Sequence, residues 1–382
     1  MMSRFPTNAA LAGACILTSL LWAAQNVFAA DSGKRGEYAV TYQINPAHSG
    51  YINFGAGFST PLTQIWSVNL DTALSYPVIA ENKVFVNSSN AGGETYALDL
   101  ATGTTMWSKF TGAMQGPAYD HTRLFLANSR AVLSALSAQS GKSLWATKLP
   151  YQYYSTTAPM AYNGQVFTAA TENGGDLYAV DEKTGTVEWY ESVQGGDESI
   201  PAYGEDGIYV SYSCQYYKFN PDGTLDWNDN MCGAGTGTTP VYYNKRLYVE
   251  DPSRGNVIVS ATTGESIGTF VANIGDPPAF WRLSDGKRLG FSLYNGYLYG
   301  WRVWNLANVW SFAGDNQLST PPIVINGLVV EGSSSGNVYV LDASTGTQEW
   351  SANTGAAVTA LGAGQGTLIV ISGSIVTAFV PQ

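Results

Sequence analysis

Few side chains in this sequence are suited to proton transfer, nucleophilic attack or metal binding. Only two histidines occur, His48 and His121. A serine hydrolase needs a histidine beside an activated serine, and neither is accompanied by a Gly-x-Ser-x-Gly turn. His121 stands in Tyr119-Asp120-His121-Thr122-Arg123, between apolar runs, where a turn residue is expected. No cysteine or histidine cluster has the spacing of a zinc site. The run Cys232-Gly233-Ala234-Gly235-Thr236-Gly237 lacks the Lys-Ser/Thr ending and the helix that a phosphate-binding loop requires, so it reads as a loop. Among carboxylates, Asp197, Glu198 and Asp276 stand just ahead of apolar runs; acids in such loops are usually hydrated, and that is expected here. No catalytic residue is assigned.

The cysteines bear on compartment rather than catalysis. Residues 1–30 carry Arg4 as their only charge, an apolar run from Leu11 to Ala24, and a small-residue ending before Asp31, the pattern of a cleaved export signal. A membrane anchor needs about 20 apolar residues, and Gln25 and Asn26 end the run too early. Cys15 lies inside that run rather than at its end, which argues against lipidation and places it in the removed segment. Cys214 and Cys232 remain, and an even pair in an oxidising compartment is expected to form a disulfide, with two buried thiols as the alternative. A secreted protein, periplasmic or extracellular, is the expectation. Charged residues make up 12% of the chain and the net charge is −11, so nucleic acid and anionic membranes are poor partners. No later run is long and apolar enough to span a membrane.

What positions these side chains is a repeat. Trp66, Trp107, Trp145, Trp189, Trp227, Trp310 and Trp350 follow one another at gaps of 41, 38, 44, 38, 83 and 40 residues. The long gap is a double one, and its missing copy is visible as Thr262-Thr263-Gly264-Glu265-Ser266-Ile267. Ahead of the tryptophans a pattern recurs: Asp99 to Gly103 before Trp107, Asp181 to Gly185 before Trp189, and Asp342 to Gly346 before Trp350. The Asp carboxylate can accept turn amides, and Gly supplies the left-handed residue that returns the chain into a hairpin. Two more strands precede each hairpin, and four short strands per forty residues are the signature of a propeller blade. The first strand, Leu62 to Leu70, lacks partners of its own. Residues 357–380 supply three strands (near Val358–Gly362, Leu368–Ser372 and Ile375–Val380) without a fourth, so their pairing would close an all-β, eight-bladed β-propeller. The expected organisation is a signal peptide over 1–30, a lead-in over 31–60 and the propeller over 61–382.

The pattern Ala-x-Asp-x-x-Thr-Gly-x-x-x-Trp resembles the pyrroloquinoline-quinone (PQQ) type propeller repeat, in which the tryptophans form docking contacts between blades. Tyr42-Gln43-Ile44-Asn45-Pro46-Ala47-His48-Ser49-Gly50 is similar to the lead-in of exported bacterial members. The resemblance implies two kinds of function. Quinoprotein dehydrogenases hold PQQ and calcium on the axis, and Asp197, Glu198 and Asp276 are the carboxylates available to such an ion. This chain lacks the vicinal cysteines and Cys-x-x-Cys-His often found with that chemistry. The outer-membrane assembly propeller lipoproteins, similar in length and blade count, act by contacting other proteins. The favoured expectation is a non-catalytic, monomeric scaffold binding a protein or small extracellular ligand, without cofactor; a PQQ- and calcium-dependent alcohol or sugar dehydrogenase is the alternative. Tyr153 and Tyr154, and Trp281 with Arg282, are the loop residues expected to offer a binding face.

Overall fold

Val78–Ala80 and the centre of Lys83–Asn87 are apolar on both faces, and both runs are buried throughout, as strands covered on both sides must be. Runs such as Thr105–Phe110 alternate toward solvent. A computed structural model describes residues 37–382 except 90–91, 155–156, 171–174, 194–198, 206, 213–214, 231–237 and 252–254. Among the described residues there is no helix; the strands form eight blades of four antiparallel strands, one blade extended by a short fifth strand, a β-propeller. Blades 1 to 7 span 78–110, 118–148, 160–192, 202–230, 241–269, 279–312 and 323–353. Each begins at its inner strand and ends at its outer one.

Blade 8 joins the two ends of the propeller. Leu62–Asn69 pairs antiparallel with Ile375–Pro381, from Leu62↔Pro381 to Asn69↔Ile375. The blade's inner strand is Ala360–Gly364, two residues later than the sequence pattern implies, because the Val358 amide is already bonded to Ser333 O of blade 7 at 3.0 Å. The pairing gives the last blade its fourth strand, so Ile375–Pro381 is not left as an open edge.

Neighbouring blades are locked by indoles. The Asp99 carboxylate accepts from the Ala101 and Thr102 amides and the Thr102 hydroxyl at 2.8–3.1 Å, while the Gly103 amide donates to Asp99 O at 2.8 Å. At Asp181 the equivalent bond from the Thr184 hydroxyl holds the carboxyl below its usual range. Onto each such turn the tryptophan of the preceding blade is laid flat. Trp66, Trp107, Trp145, Trp189, Trp227 and Trp310 donate Nε1–H to Leu100, Ala138, Glu182, Pro221, Ala261 and Ala343 carbonyls at 2.8–3.1 Å. A Cβ at the turn glycine (103, 141, 185, 223, 264 or 346) would stand 2.5–2.8 Å from that indole. Glycine is thus required twice over, for its positive φ and for the close ring. Trp350 differs: it meets Phe379 edge-on at 5.2 Å, since blade 8's outer hairpin is made of two chain ends and has no turn to receive it.

The seam between blades 5 and 6 is built another way. Gly268 pairs with Ile258 as Trp107 pairs with Ala97, so glycine holds the tryptophan position. The receiving turn then needs no glycine, and Leu306 takes its place at φ 60°, its amide on Arg302 O at 2.8 Å. The donor normally supplied by the indole comes from Arg246, whose NH1 reaches Val303 O at 2.8 Å. Trp301 fills the seam from blade 6 against Tyr248, Phe270 and Phe280. Introducing Gly268→Trp alone should destabilise, because Leu306 lies in the indole's place, 3.9 Å from a Cβ at 268. Adding Leu306→Gly should reverse the sign, with a coupling of about 1 kcal/mol or more in urea unfolding.

Candidate functional site

The inner strands leave a row of amides facing the propeller axis, and a buried amide without an acceptor is costly. Residues 37–58 supply the acceptors. Val40 O takes the Tyr119 amide at 2.7 Å, Pro46 O that of Tyr203 at 2.7 Å, Ala47 O that of Tyr242 at 2.9 Å, Ser49 O that of Phe280 at 3.0 Å and Gly50 O that of Val324 at 2.7 Å. Ala39 exchanges two bonds with Ile79 of blade 1, Glu37 O takes the Gln365 amide of blade 8, and Tyr51–Ile52 adds a parallel fifth strand to blade 7. Among the described residues, backbone bonds thus tie this one crossing segment to every blade but the third. Gly50 passes so close to blade 6 that a Cβ there would lie 2.7 Å from Ala279 Cβ. Ile44 sits at φ 76°, a conformation that a β-branched residue keeps only where its surroundings enforce it.

Residues entering the inner strands lie at one end of the axis, and the turns leaving them at the other. The crossing segment lines a cavity toward each end. Toward the turn face, Tyr38, Val40, Tyr51, Tyr119 and Tyr162 line about 560 Å³. Toward the entry face, Tyr42, Gln43, Leu74, Tyr76, Asp276 and Leu361 line about 320 Å³.

The entry cavity is the more unusual chemically. Asp276 lines it, accepting from Asn273 Nδ2 at 3.0 Å, and its carboxyl is raised by burial. Behind it lie two acids that the sequence did not single out. Glu250 Oε2 accepts the Gly275 amide at 2.7 Å, and burial, with the Asp276 charge adding, pushes its carboxyl up to about 8. Glu331 Oε1 accepts the Thr320 hydroxyl at 3.2 Å; burial and the same Asp276 charge raise it well above its usual value. Glu250 Oε1, Glu331 Oε2 and Gln43 Oε1 are buried and accept nothing. His48 gives no compensating charge: burial lowers its pKa to about 4, with Nδ1 3.2 Å from Pro240 O. The one legible signal was that Glu250 and Glu331 follow apolar strand runs in LYVED and LVVEG, where the other copies continue with uncharged residues.

The residues expected to form a binding face are not brought together. Tyr153 and Tyr154 are exposed on the loop entering blade 3. Beside them Tyr151 contacts Tyr190 at 5.8 Å, and Lys148 Nζ stands 6.0 Å from the Tyr153 ring. Trp281 and Arg282 end the inner strand of blade 6, at the opposite face, where Trp281 packs on Tyr51 at 5.2 Å. Cys214, Cys232, Asp197 and Glu198 lie outside the described residues. His121 is a turn residue at φ 42°. Its Nδ1 lies 3.2 Å from Asp120 and 3.0 Å from Glu182, and Arg123 pairs with Glu182 at 3.0 Å, tying blade 2 to blade 3.

PQQ is a polycarboxylate, and such an anion calls for basic partners or a metal. The entry cavity has no Lys, Arg or His among its described lining residues, and its own charge is negative. Among the described residues only Asp120, His121 and Glu182 bring potential ligand atoms within 4.8 Å of one another, and there Arg123 already occupies Glu182. The described lining of the entry cavity thus offers a quinone polycarboxylate no basic partner.

Residues 91–299 and 285–381 match a family described as outer membrane protein assembly factor BamB. A protein of that description from Moranella endobia (strain PCIT) is 26% identical over 273 residues, covering 65% of this chain and 62% of the relative. The dehydrogenase subunit of a quinone alcohol dehydrogenase from Gluconacetobacter polyoxogenes is 24% identical over 399 residues, covering 88% of this chain and 50% of the relative. The chain thus spans between half and about three-fifths of the length of these relatives. A solved europium-containing methanol dehydrogenase superposes with a TM-score of 0.72 at 14% identity, covering 90% of this chain and 98% of that one, a likeness of fold.

Proposed function

The chain belongs to the family of outer membrane protein assembly factor BamB, and from that premise we propose that it is an exported, non-catalytic propeller that binds other proteins. The observation that carries the reading is the segment 37–58, which crosses the axis and bonds to the inner strands or turns of seven blades. It uses the axial space for the protein's own backbone and stiffens the ring as a platform. Exposed Phe110, Tyr151, Tyr153 and Tyr154 on the entry face support partner contact there, since rigid aromatics bring large contact area at low entropy cost. The domain organisation proposed is that of a leader over 1–30, with 31–60 serving as a lead-in that completes the propeller.

One observation favours a PQQ- and calcium-dependent alcohol or sugar dehydrogenase, namely carboxylates near the axis. The readings separate on incubation with PQQ and calcium chloride, followed by gel filtration and a dye-reduction assay with ethanol or glucose. The scaffold reading expects no stoichiometric quinone and no turnover, and retention of defined envelope proteins by the immobilised chain. Stoichiometric uptake with turnover would overturn it.

A further inference from the structure

We propose that the turn face of blades 5 and 6 is a docking surface for an acidic segment of a partner protein, carboxylates flanking an apolar side chain. The inference deepens the scaffold reading and rests on it, placing a contact on the face opposite the exposed tyrosines. Six of the chain's 18 basic residues, Lys245, Arg246, Arg282, Lys287, Arg288 and Arg302, occupy the turns of these two blades or the strand ends beside them. The same turns carry two carboxylates, Glu265 and Asp285, and Asp285 is taken by Lys287 at 2.6 Å. Among the described residues no carboxylate pairs with any of the four arginines. In a chain of net charge −11 this concentration of cations runs against the average. The fold holds it together. Arg282 and Arg288 stand directly opposite each other in the inner hairpin of blade 6, a pairing of like charges that costs stability unless an anion answers it. Burial raises the pKa of the Tyr243 hydroxyl, but Arg288 and Arg282 both pull it down, so the two guanidinium groups act on one spot. The Val303 amide donates to Arg288 O at 3.1 Å, and the Val303 carbonyl accepts from Arg246 Nη1 at 2.8 Å, which joins the cations of both blades across the seam. Arg246, Lys287, Arg288 and Trp304 line a cavity of about 190 Å³. That is below the range of about 300–1,000 Å³ usual for small-molecule pockets and suits one inserted side chain. Guanidinium groups grip a carboxylate through two parallel hydrogen bonds. Trp304 beside them is 68% exposed, and Trp and Arg are the residues that protein interfaces concentrate at their centres. An anionic membrane is the poorer match, because a flat bilayer would also meet Asp99, Asp181, Asp222 and Asp342 in the outer turns of other blades at the same end. Exposed charges are screened beyond about 8 Å at physiological salt, so a short segment feels the basic patch alone.

The test titrates the full chain into a short peptide of Glu and Asp around a central Leu, labelled with an uncharged dye and read by fluorescence anisotropy. The control peptide has Gln and Asn in place of the acids. Saturable binding of the acidic peptide is expected, at least about tenfold tighter than the control and weakening as salt is raised. The double variant Arg282→Gln with Arg302→Gln should weaken it at least about fivefold. Its thermal midpoint should not fall, since both side chains are exposed and Arg282 faces another arginine. Lys183→Gln, the same loss of charge on an exposed turn of blade 3, should leave the affinity unchanged. Trp304→Ala should weaken both peptides by one common factor. Vesicles of phosphatidylglycerol and phosphatidylcholine in equal parts should not sediment with the chain. No preference for the acidic peptide, unchanged affinity in the double variant or in Trp304→Ala, equal weakening by Lys183→Gln, or vesicle binding that the double variant abolishes would each overturn the proposal. The scaffold reading is judged separately, by retention of envelope proteins on the parent chain, so either can fail without the other being mistaken for it.

Discussion

Trp310→Ala is expected to lower the free energy of unfolding by about 3–5 kcal/mol, the range for deleting a large buried ring. The indole is enclosed by Phe291 at 5.6 Å, by Gly300, where a Cβ would fall 2.3 Å from it, and by Gly346, where it would fall 2.5 Å away. Its Nε1–H donates to Ala343 O across the seam at 3.0 Å. Alanine therefore leaves both a void between blades 6 and 7 and a carbonyl without its donor. Trp350→Ala should cost less, because that ring has no turn glycine beneath it. Gly346→Ala adds only one methyl, yet should cost about 2–4 kcal/mol, from the positive φ and from overpacking against the indole. Urea unfolding of the three variants checks the order. Equal losses for Trp310→Ala and Trp350→Ala would mean that the flat indole-on-glycine contact is not what holds the blades.

Stability should fall as pH rises from about 5 to 8, opposite to the usual behaviour of carboxylates in salt bridges. Glu250 is pushed up to about 8 by burial in the folded state, whereas in the unfolded chain it titrates near its ordinary value of about 4.3. Between those values the folded chain keeps a proton that the unfolded chain has released. The stabilisation is complete below about 4.3 and is lost as pH climbs toward 8, at no more than about 1.4 kcal/mol per unit for one group. Glu331 acts with the same sign, whereas buried His48, held near 4, acts oppositely as pH rises from about 4 to 6.5 and offsets one of the two acids there. Asp315 acts oppositely but in a lower window: although burial opposes it, hydrogen bonds from Ser335, Ser333 and Asn337 hold its carboxyl near 2. Its contribution is complete above about 4 and lost only as pH falls toward 2. Denaturant midpoints measured at intervals from pH 4 to 9 should peak near the acid end of that range. Glu250→Gln should flatten the descending limb. Stability that is level or rising between pH 5 and 8 would rule out buried, protonated acids at the axis.

Much of the architecture was legible because it repeats. A turn such as Asp99 to Gly103 is written in local chemistry, a carboxylate for the amides and a glycine for the left-handed residue, and its partner Trp66 recurs at a fixed interval. The copy in blade 5 shows how far that legibility extends. Its missing tryptophan was visible from spacing alone, but the compensation by Leu306, Arg246 and Trp301 was not, since those residues come from two blades and match no turn pattern. The pairing of Leu62–Asn69 with Ile375–Pro381 was also readable, because each end of the chain carries strands the other lacks.

The functional site was less legible. His48, Tyr42 and Gln43 occupy a segment that reads as an unremarkable lead-in, and its role appears only once seven blades offer amides to it. Tyr153 and Arg282 look alike in sequence, both beside an inner strand, yet one precedes its strand and the other ends it, which puts them on opposite faces.

By itself, then, the order of residues determined the repeating sheet, its turns and the number of blades, since each depends on contacts within a copy or between adjacent copies. Only the closed ring decided what meets on the axis. Asp276, Glu250, Glu331 and Gln43 are far apart along the chain, and a carboxyl's environment is a property of everything packed around it, so no local pattern encodes it.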